Sequence, residues 1–186
     1  KDYAQIIVAI DPPISTGENA DACGIIVAGL TRSASCAQDK VVILHDGSLQ
    51  GRSPEGWAAR AGQLYAAFGA NYVVAEANQG GEMVASVLRA AEISLPLKLV
   101  HASRGKVARA EPVAAMYEAG RVSHAGMFAA LEDQLCGLMA GGSYEGPGNS
   151  PDRADALAAL AEALVGVQNW RPALSAYKES LALRDV

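Results

Sequence analysis

Three carboxylates stand where the surrounding sequence points them toward chemistry: Asp11, Glu76 and Asp155. Asp11 ends the run Ile6-Ile7-Val8-Ala9-Ile10 and is followed by Pro12-Pro13. The run fits a strand buried on both faces of a sheet, and two prolines cannot continue a central ladder. A carboxylate at the inner end of such a strand is expensive to hold unless a cation meets it. Glu76 ends a second run of this kind, Tyr72-Val73-Val74-Ala75. Asp155 opens a helix in Ser150-Pro151-Asp152-Arg153-Ala154-Asp155-Ala156-Leu157. The three read together as a metal-binding cluster, with the rest of the chain as its support. Each has a plainer reading. Asp11 could cap the turn after its strand, and Glu76 could be an exposed loop residue. With Ser150 as N-cap, Asp152 fits the helix dipole better than Asp155 does, so Asp155 is the preferred ligand. Asp152 and Asp21 stay as further candidates, Asp21 with a turn-capping role as its rival.

The elements that must position these groups follow from periodicity. Residues 6–11, 22–30 and 40–46 read as three consecutive strands with no helix between them, an antiparallel meander. A helix follows, with Ser53 as N-cap, Pro54 in its first turn, and Trp57, Ala61, Leu64 and Phe68 on one face. Strand four is 72–76, a helix covers about 80–92, and 97–101 is a short fifth strand. Strand–helix–strand–helix–strand makes strands one, four and five parallel. Helices are expected over 107–119, with Pro112 at its start or at a kink, over 127–139, and over 151–165. Residues 121–124 are a brief extended piece, and 167–186 a docked or frayed tail after a domain spanning 1–166.

The chain has 186 residues, enough for one domain with a substantial core. Its net charge of -5 argues against a generically sticky nucleic-acid binder, though not against a local basic surface. Cys23, Cys36 and Cys136 are scattered and odd in number, which favours reduced thiols over a disulfide or zinc framework. No apolar run is long enough for a membrane span, and the first residues lack a signal-peptide core. The chain lacks an initiator Met, so it is expected to be a piece of a longer protein that is not secreted.

A three-strand meander leading into parallel strands, with Asp on the first and Glu on the fourth, resembles the α/β ribonuclease H-like fold. The resemblance implies a mixed five-stranded sheet flanked by helices, with strands one and four adjacent and their carboxylates about 5 Å apart. Two carboxylates that close repel unless a divalent cation lies between them, and all-oxygen ligands favour Mg²⁺ or Mn²⁺. Two such ions can activate a water and stabilise the leaving oxygen of a phosphodiester.

Four segments, spanning about residues 6–165, are similar in order to the nuclease domain of phage terminase large subunits. They are Asp11-Pro12 with Asp21 and Cys23-Gly24-Ile25-Ile26, then Glu76-Ala77-Asn78-Gln79-Gly80-Gly81. Arg104-Gly105-Lys106 with Arg109 and Gly120-Arg121-Val122 comes next, and the segment from Ser150 to Leu157 is last. The resemblance implies an endonuclease that cuts concatemeric double-stranded DNA during genome packaging, with two Mg²⁺ or Mn²⁺ ions held by Asp11, Glu76 and Asp155. It also implies partners: an ATPase motor domain upstream in the same polypeptide, a small terminase subunit and a portal, in the cytoplasm of a bacterial host. No phosphate-binding Gly-x-x-x-x-Gly-Lys-Ser/Thr motif occurs here.

Residues 93–110 carry Lys98, Arg104, Lys106 and Arg109 with no acid. Following the fifth strand, they suit a phosphate-contacting segment, with Arg104, Lys106 and Arg109 as DNA-binding candidates. Ser15, Thr16 and Asn78 are further candidates. His101 is the histidine best placed to act, and Trp57 and Trp170 read as packing. Rivals within the class are a Holliday-junction resolvase and a ribonuclease H-type nuclease. A non-catalytic DNA-docking module is the rival outside it.

Overall fold

The computed structural model describes residues 2–13, 22–34, 38–77, 81–91, 95–101, 106–138, 143–148 and 150–165, leaving aside the side chains of 106–110 and 165. In chain order the elements are β1 (Gln5–Asp11), β2 (Gly24–Thr31), β3 (Lys40–Asp46), α1 (Pro54–Phe68), β4 (Tyr72–Glu76) and α2 (Gly81–Ala91). β5 (Leu97–Val100), α3 (Lys106–Glu118), β6 (Val122–His124), α4 (Ala129–Cys136) and α5 (Asp152–Val165) complete them. The strands form one sheet in the order β5-β4-β1-β2-β3-β6. β2 is antiparallel to both β1 and β3, whereas β1 with β4, β4 with β5, and β3 with β6 pair parallel. Every strand but β2 therefore points the same way, and the C-terminal ends of those five gather at one end of the sheet.

Among the described residues the expected five strands are six. β6 adds the sixth at the edge, in register Val41↔Val122 and Ile43↔His124. Three residues are too short to show alternation; backbone pairing makes the strand. Val41 N–H donates to the Arg121 carbonyl and Ala125 N–H to the Ile43 carbonyl, each at 2.8 Å. The buried Arg121 anchors the corner through Nε to the Asp39 carbonyl at 3.0 Å.

Alternation along the strands sends side chains to two helical layers. Val8, Ile10, Ile25, Val27, Val73 and Ala75 pack against Trp57, Ala61 and Leu64 of α1 and Val84 and Leu88 of α2. Ile7, Ala9, Ile26, Ala28, Ile43 and Val74 pack on the other face, under α5 and residues of α3 and α4. α1 begins as its sequence dictates: the Ser53 side chain accepts from Gly56 N–H, and Gly69 closes the helix at φ 57°. α5 is buried almost all round, including Ala158, Ala159 and Ala163. It lies between the sheet and α3 and α4, and its alanines let all three approach closely.

Candidate metal centre

β1 and β4 place their terminal acids side by side. The parallel register runs through Ile10↔Ala75, so the next step sets Asp11 beside Glu76. On its other flank Asp11 pairs with Gly24 of β2, and Glu76 pairs with Val100 of β5. Asp11 has the parity of Ile7 and Ala9, Glu76 that of Val74, and Gly24 that of Ile26. All three therefore belong to the α5 face of the sheet.

α5 brings its own acids to that corner. Its first turn passes so close over β2 that a Cβ on Gly24 would lie 1.9 Å from the Asp152 carbonyl oxygen. Asp152 and Asp155, three residues apart, share one side of the helix and are both buried, at 7% and 8% exposure. Glu76 is buried to the same degree at 7%, while Asp11 is half-buried. Asp152 Oδ2 accepts the Ala22 N–H at 3.2 Å, tying the helix start to the entry of β2. Each of Asp11, Glu76, Asp152 and Asp155 has a polar or electrostatic partner. Among the described residues, no three His, Cys, Asp or Glu side chains are drawn together into a ready-made metal group. The carboxylates share an end and a face of the sheet without closing into a shell.

The donor set fits a hard divalent ion. Every acid at this corner offers oxygen, and Cys23, next to Gly24, packs into the α1–α2 layer on the opposite face. Burial raises the Cys23 thiol far above its ordinary range, and the charges of Asp11 and Asp152 add to the rise. That thiol stays protonated and is a poor metal ligand.

One cation is fixed beside these acids. Arg153, between Asp152 and Asp155, sends Nε to Asp46 Oδ2 at the end of β3, at 2.8 Å. Its backbone N–H donates to Gln134 Oε1 on α4 at 2.9 Å, so this first-turn N–H is capped from 19 residues away. Gly24, Asp46, Arg153 and Gln134 were not singled out as site residues from sequence. The glycine after Cys23 and the arginine inside Asp-Arg-Ala-Asp were visible signals, but their partners are set only by the fold.

Other expectations resolve unevenly. Lys98 does not reach toward phosphate: its Nζ donates to the Ala163 carbonyl at 2.8 Å, near the C-terminal end of α5. Lys106 and Arg109 lie on the first turn of α3, which enters from the site end of the sheet after β5, but their side chains fall outside those described. Ser15, Thr16, Asp21, Asn78, Arg104, Cys36, Trp170 and the segment 167–186 lie outside the described residues. His101 is exposed, with Cε1 3.8 Å from where a Cβ on Gly81 would stand, at the start of α2. His45 meets Arg60 at 3.2 Å, and His124 lies between the Tyr117 hydroxyl at 2.6 Å and Glu132 at 2.8 Å. Trp57 is core, at 2% exposure. Among the described residues, no helix is long and apolar enough to cross a membrane.

A family model described as the terminase RNaseH-like domain matches residues 8–164. Among solved structures, the chain is similar to the large terminase nuclease from thermophilic phage G20c: 20% identity, 85% of this chain and 83% of that one covered, TM-score 0.60. The same nuclease with bound magnesium is similar at 20% identity over 88% and 84% of the two chains, with a TM-score of 0.60. The nuclease domain of the large terminase subunit of bacterial virus Sf6 is similar at 16% identity over 87% and 89%, with a TM-score of 0.61. At such identities the likeness establishes a shared fold, ribonuclease H-like. No curated protein matches by sequence.

Proposed function

Because this chain belongs to the terminase RNaseH-like domain family, we propose that it is a metal-dependent endonuclease that cuts double-stranded DNA concatemers during viral genome packaging. One observation carries the reading: Asp11 and Glu76 end adjacent strands on the face that α5 covers, and α5 delivers Asp155 and Asp152 there across the bare Gly24. Asp11, Glu76 and Asp155 would hold two divalent ions, Mg²⁺ or Mn²⁺, with Asp152 beside them. The similar phage nuclease has been solved with bound magnesium, cobalt and zinc, which supports a divalent ion. When bound, such ions lower the pKa of water and neutralise the charge that builds on a phosphodiester as it is cleaved.

The chain's own residues do the rest. Asp152, tethered to Ala22, fixes the helix that carries Asp155. The buried setting of Glu76 and Asp155 keeps bulk water from screening their charge, which strengthens their hold on a cation. Lys106 and Arg109, on the first turn of α3, and Arg104, just before them in sequence, would contact the DNA backbone. Contacts of that kind carry no sequence information, so weak sequence preference is expected. An ATPase motor domain upstream in the same polypeptide, a small terminase subunit and a portal would be the partners, in the cytoplasm of a bacterial host.

Nicking and linearisation of supercoiled plasmid test the reading, with Mg²⁺, Mn²⁺ or chelator and with Asp11→Asn beside the wild type. Cutting that needs metal and is lost in the variant supports it. A folded wild type that neither cuts nor binds Mn²⁺ sinks the catalytic role and leaves a DNA-docking module.

A further inference from the structure

Arg153 is an unusual residue to find between two acids assigned to metal. A cation there would be expected either to neutralise Asp152 and Asp155 or to reach out toward a phosphate. Its Nε–H and backbone N–H run instead to β3 and α4. The Nε–H is committed to Asp46 Oδ2 at 2.8 Å, with the two side chains 22% and 13% exposed. Asp46 is fixed in turn, since its Oδ1 accepts the Ser48 N–H at 3.0 Å, and the Ser48 hydroxyl accepts the Ile25 N–H at 2.9 Å. Ile25 follows Gly24, the residue α5 rests on. From the other side, Gln134 takes the Arg153 N–H and donates to the Ser150 carbonyl at 3.5 Å. The first turn of α5 is thus gripped from β3, whose Asp46 is braced by the turn that follows it, and from α4, while the absent side chain of Gly24 lets it drop onto β2.

We propose that Arg153 is a positioning residue: with Asp46 and Gln134 it clamps the first turn of α5, so that Asp152 and Asp155 stay at the end and on the face of the sheet that Asp11 and Glu76 share. The inference rests on the metal-dependent reading above. Pairing with Asp46 also keeps the guanidinium from competing with the metal for Asp152 and Asp155. An arginine suits the task because its planar fork holds a fixed direction, whereas a lysine would supply only a point charge. Residues that orient ligands from behind typically alter metal affinity by about 10- to 100-fold when changed.

The test compares the full chain with Arg153→Gln, Arg153→Lys, Asp46→Asn and the Asp46→Asn/Arg153→Gln double variant. Mn²⁺ affinity is read by calorimetry and plasmid nicking is resolved into KM and kcat. The clamp predicts that each single variant weakens Mn²⁺ binding by about tenfold. It also predicts that the double variant is no worse than either single one, and that KM for DNA is unchanged. If Arg153→Gln fails to melt cooperatively, Arg153→Lys carries the same comparison, since it keeps the charge but loses the Nε–H. Unchanged Mn²⁺ affinity with a raised KM in the Arg153 variants, and a normal KM in Asp46→Asn, would make Arg153 a DNA contact and overturn the clamp alone. A wild type that binds no Mn²⁺ overturns the nuclease reading and the clamp with it.

Discussion

At residue scale the structure turns on a missing side chain and a silent one. Gly24 faces α5 at the point where the Asp152 carbonyl occupies the space a Cβ would need. Gly24→Ala must push the first turn of α5 off the sheet, because the neighbour is backbone and cannot swing aside. Overpacking of this kind costs about 1–3 kcal/mol, and the upper end is expected here. The urea midpoint should fall with the slope unchanged, and the loss of Mn²⁺ affinity should exceed what the stability change alone explains. Next to it, Cys23 is free and buried, whereas Cys136 is free and exposed. The Cys23 thiol is raised from its ordinary 9.0, first by burial and then by Asp11 and Asp152. The unfolded chain gives up that proton first. The stability linked to it is therefore full below about pH 9 and declines as the pH climbs toward the folded value. Urea midpoints at pH 8, 9 and 10 should show the decline, and Cys23→Ala should flatten it. Mass-mapped alkylation of the native chain should label Cys136 and spare Cys23; ready labelling of native Cys23 would contradict its burial.

At the scale of elements, what was legible in sequence is what local chemistry dictates. β3 was readable to the residue, and α1 was readable from Ser53, Pro54 and the Trp57–Ala61–Leu64 stripe, because cap, proline and periodicity agree there. Asp11 and Glu76 were each readable as an acid closing an apolar run, whereas their standing side by side came from the resemblance to the ribonuclease H-like fold. β6 was not readable, since backbone pairing with β3 rather than side-chain pattern makes it a strand. Nor was the grip on α5, whose partners Arg153 and Asp46 stand 107 residues apart. Lys98 shows how a charge run misleads. It belongs to the basic stretch after α2, yet its ammonium serves the Ala163 carbonyl near the C-terminal end of α5, where a cation also meets the negative end of the helix dipole. Lys98→Met should therefore lower stability by about 1 kcal/mol. It should leave the salt dependence of DNA binding untouched, whereas loss of a true phosphate contact lowers that slope by about one unit. A shallower slope in Lys98→Met would make it a phosphate contact and overturn this reading.

At the scale of the whole molecule, charge and stability are coupled through the same corner. The chain carries a net charge of -5, and three of its acids, Glu76, Asp152 and Asp155, are buried at the end of the sheet where DNA would approach. A divalent ion held there would offset the charge of these acids toward a polyanion. With metal, both the field and the stability change, because an ion held by β1, β4 and α5 binds only when those elements are together. A ligand of the folded state at 100 times its Kd adds about 2.7 kcal/mol. For a chain of this size each kcal/mol moves the melting temperature by about 2–4 °C, so saturating Mn²⁺ should raise it by roughly 5–10 °C. Asp11→Asn should melt cooperatively in chelator yet show little or no rise with Mn²⁺, since Asn is a neutral and weaker ligand at the centre of the set. Differential scanning calorimetry across a Mn²⁺ series decides the matter without any substrate. A wild-type melting point indifferent to Mn²⁺ would mean that the elements meet at this corner without forming a metal site. An equal rise in wild type and Asp11→Asn would place the ion elsewhere in the molecule.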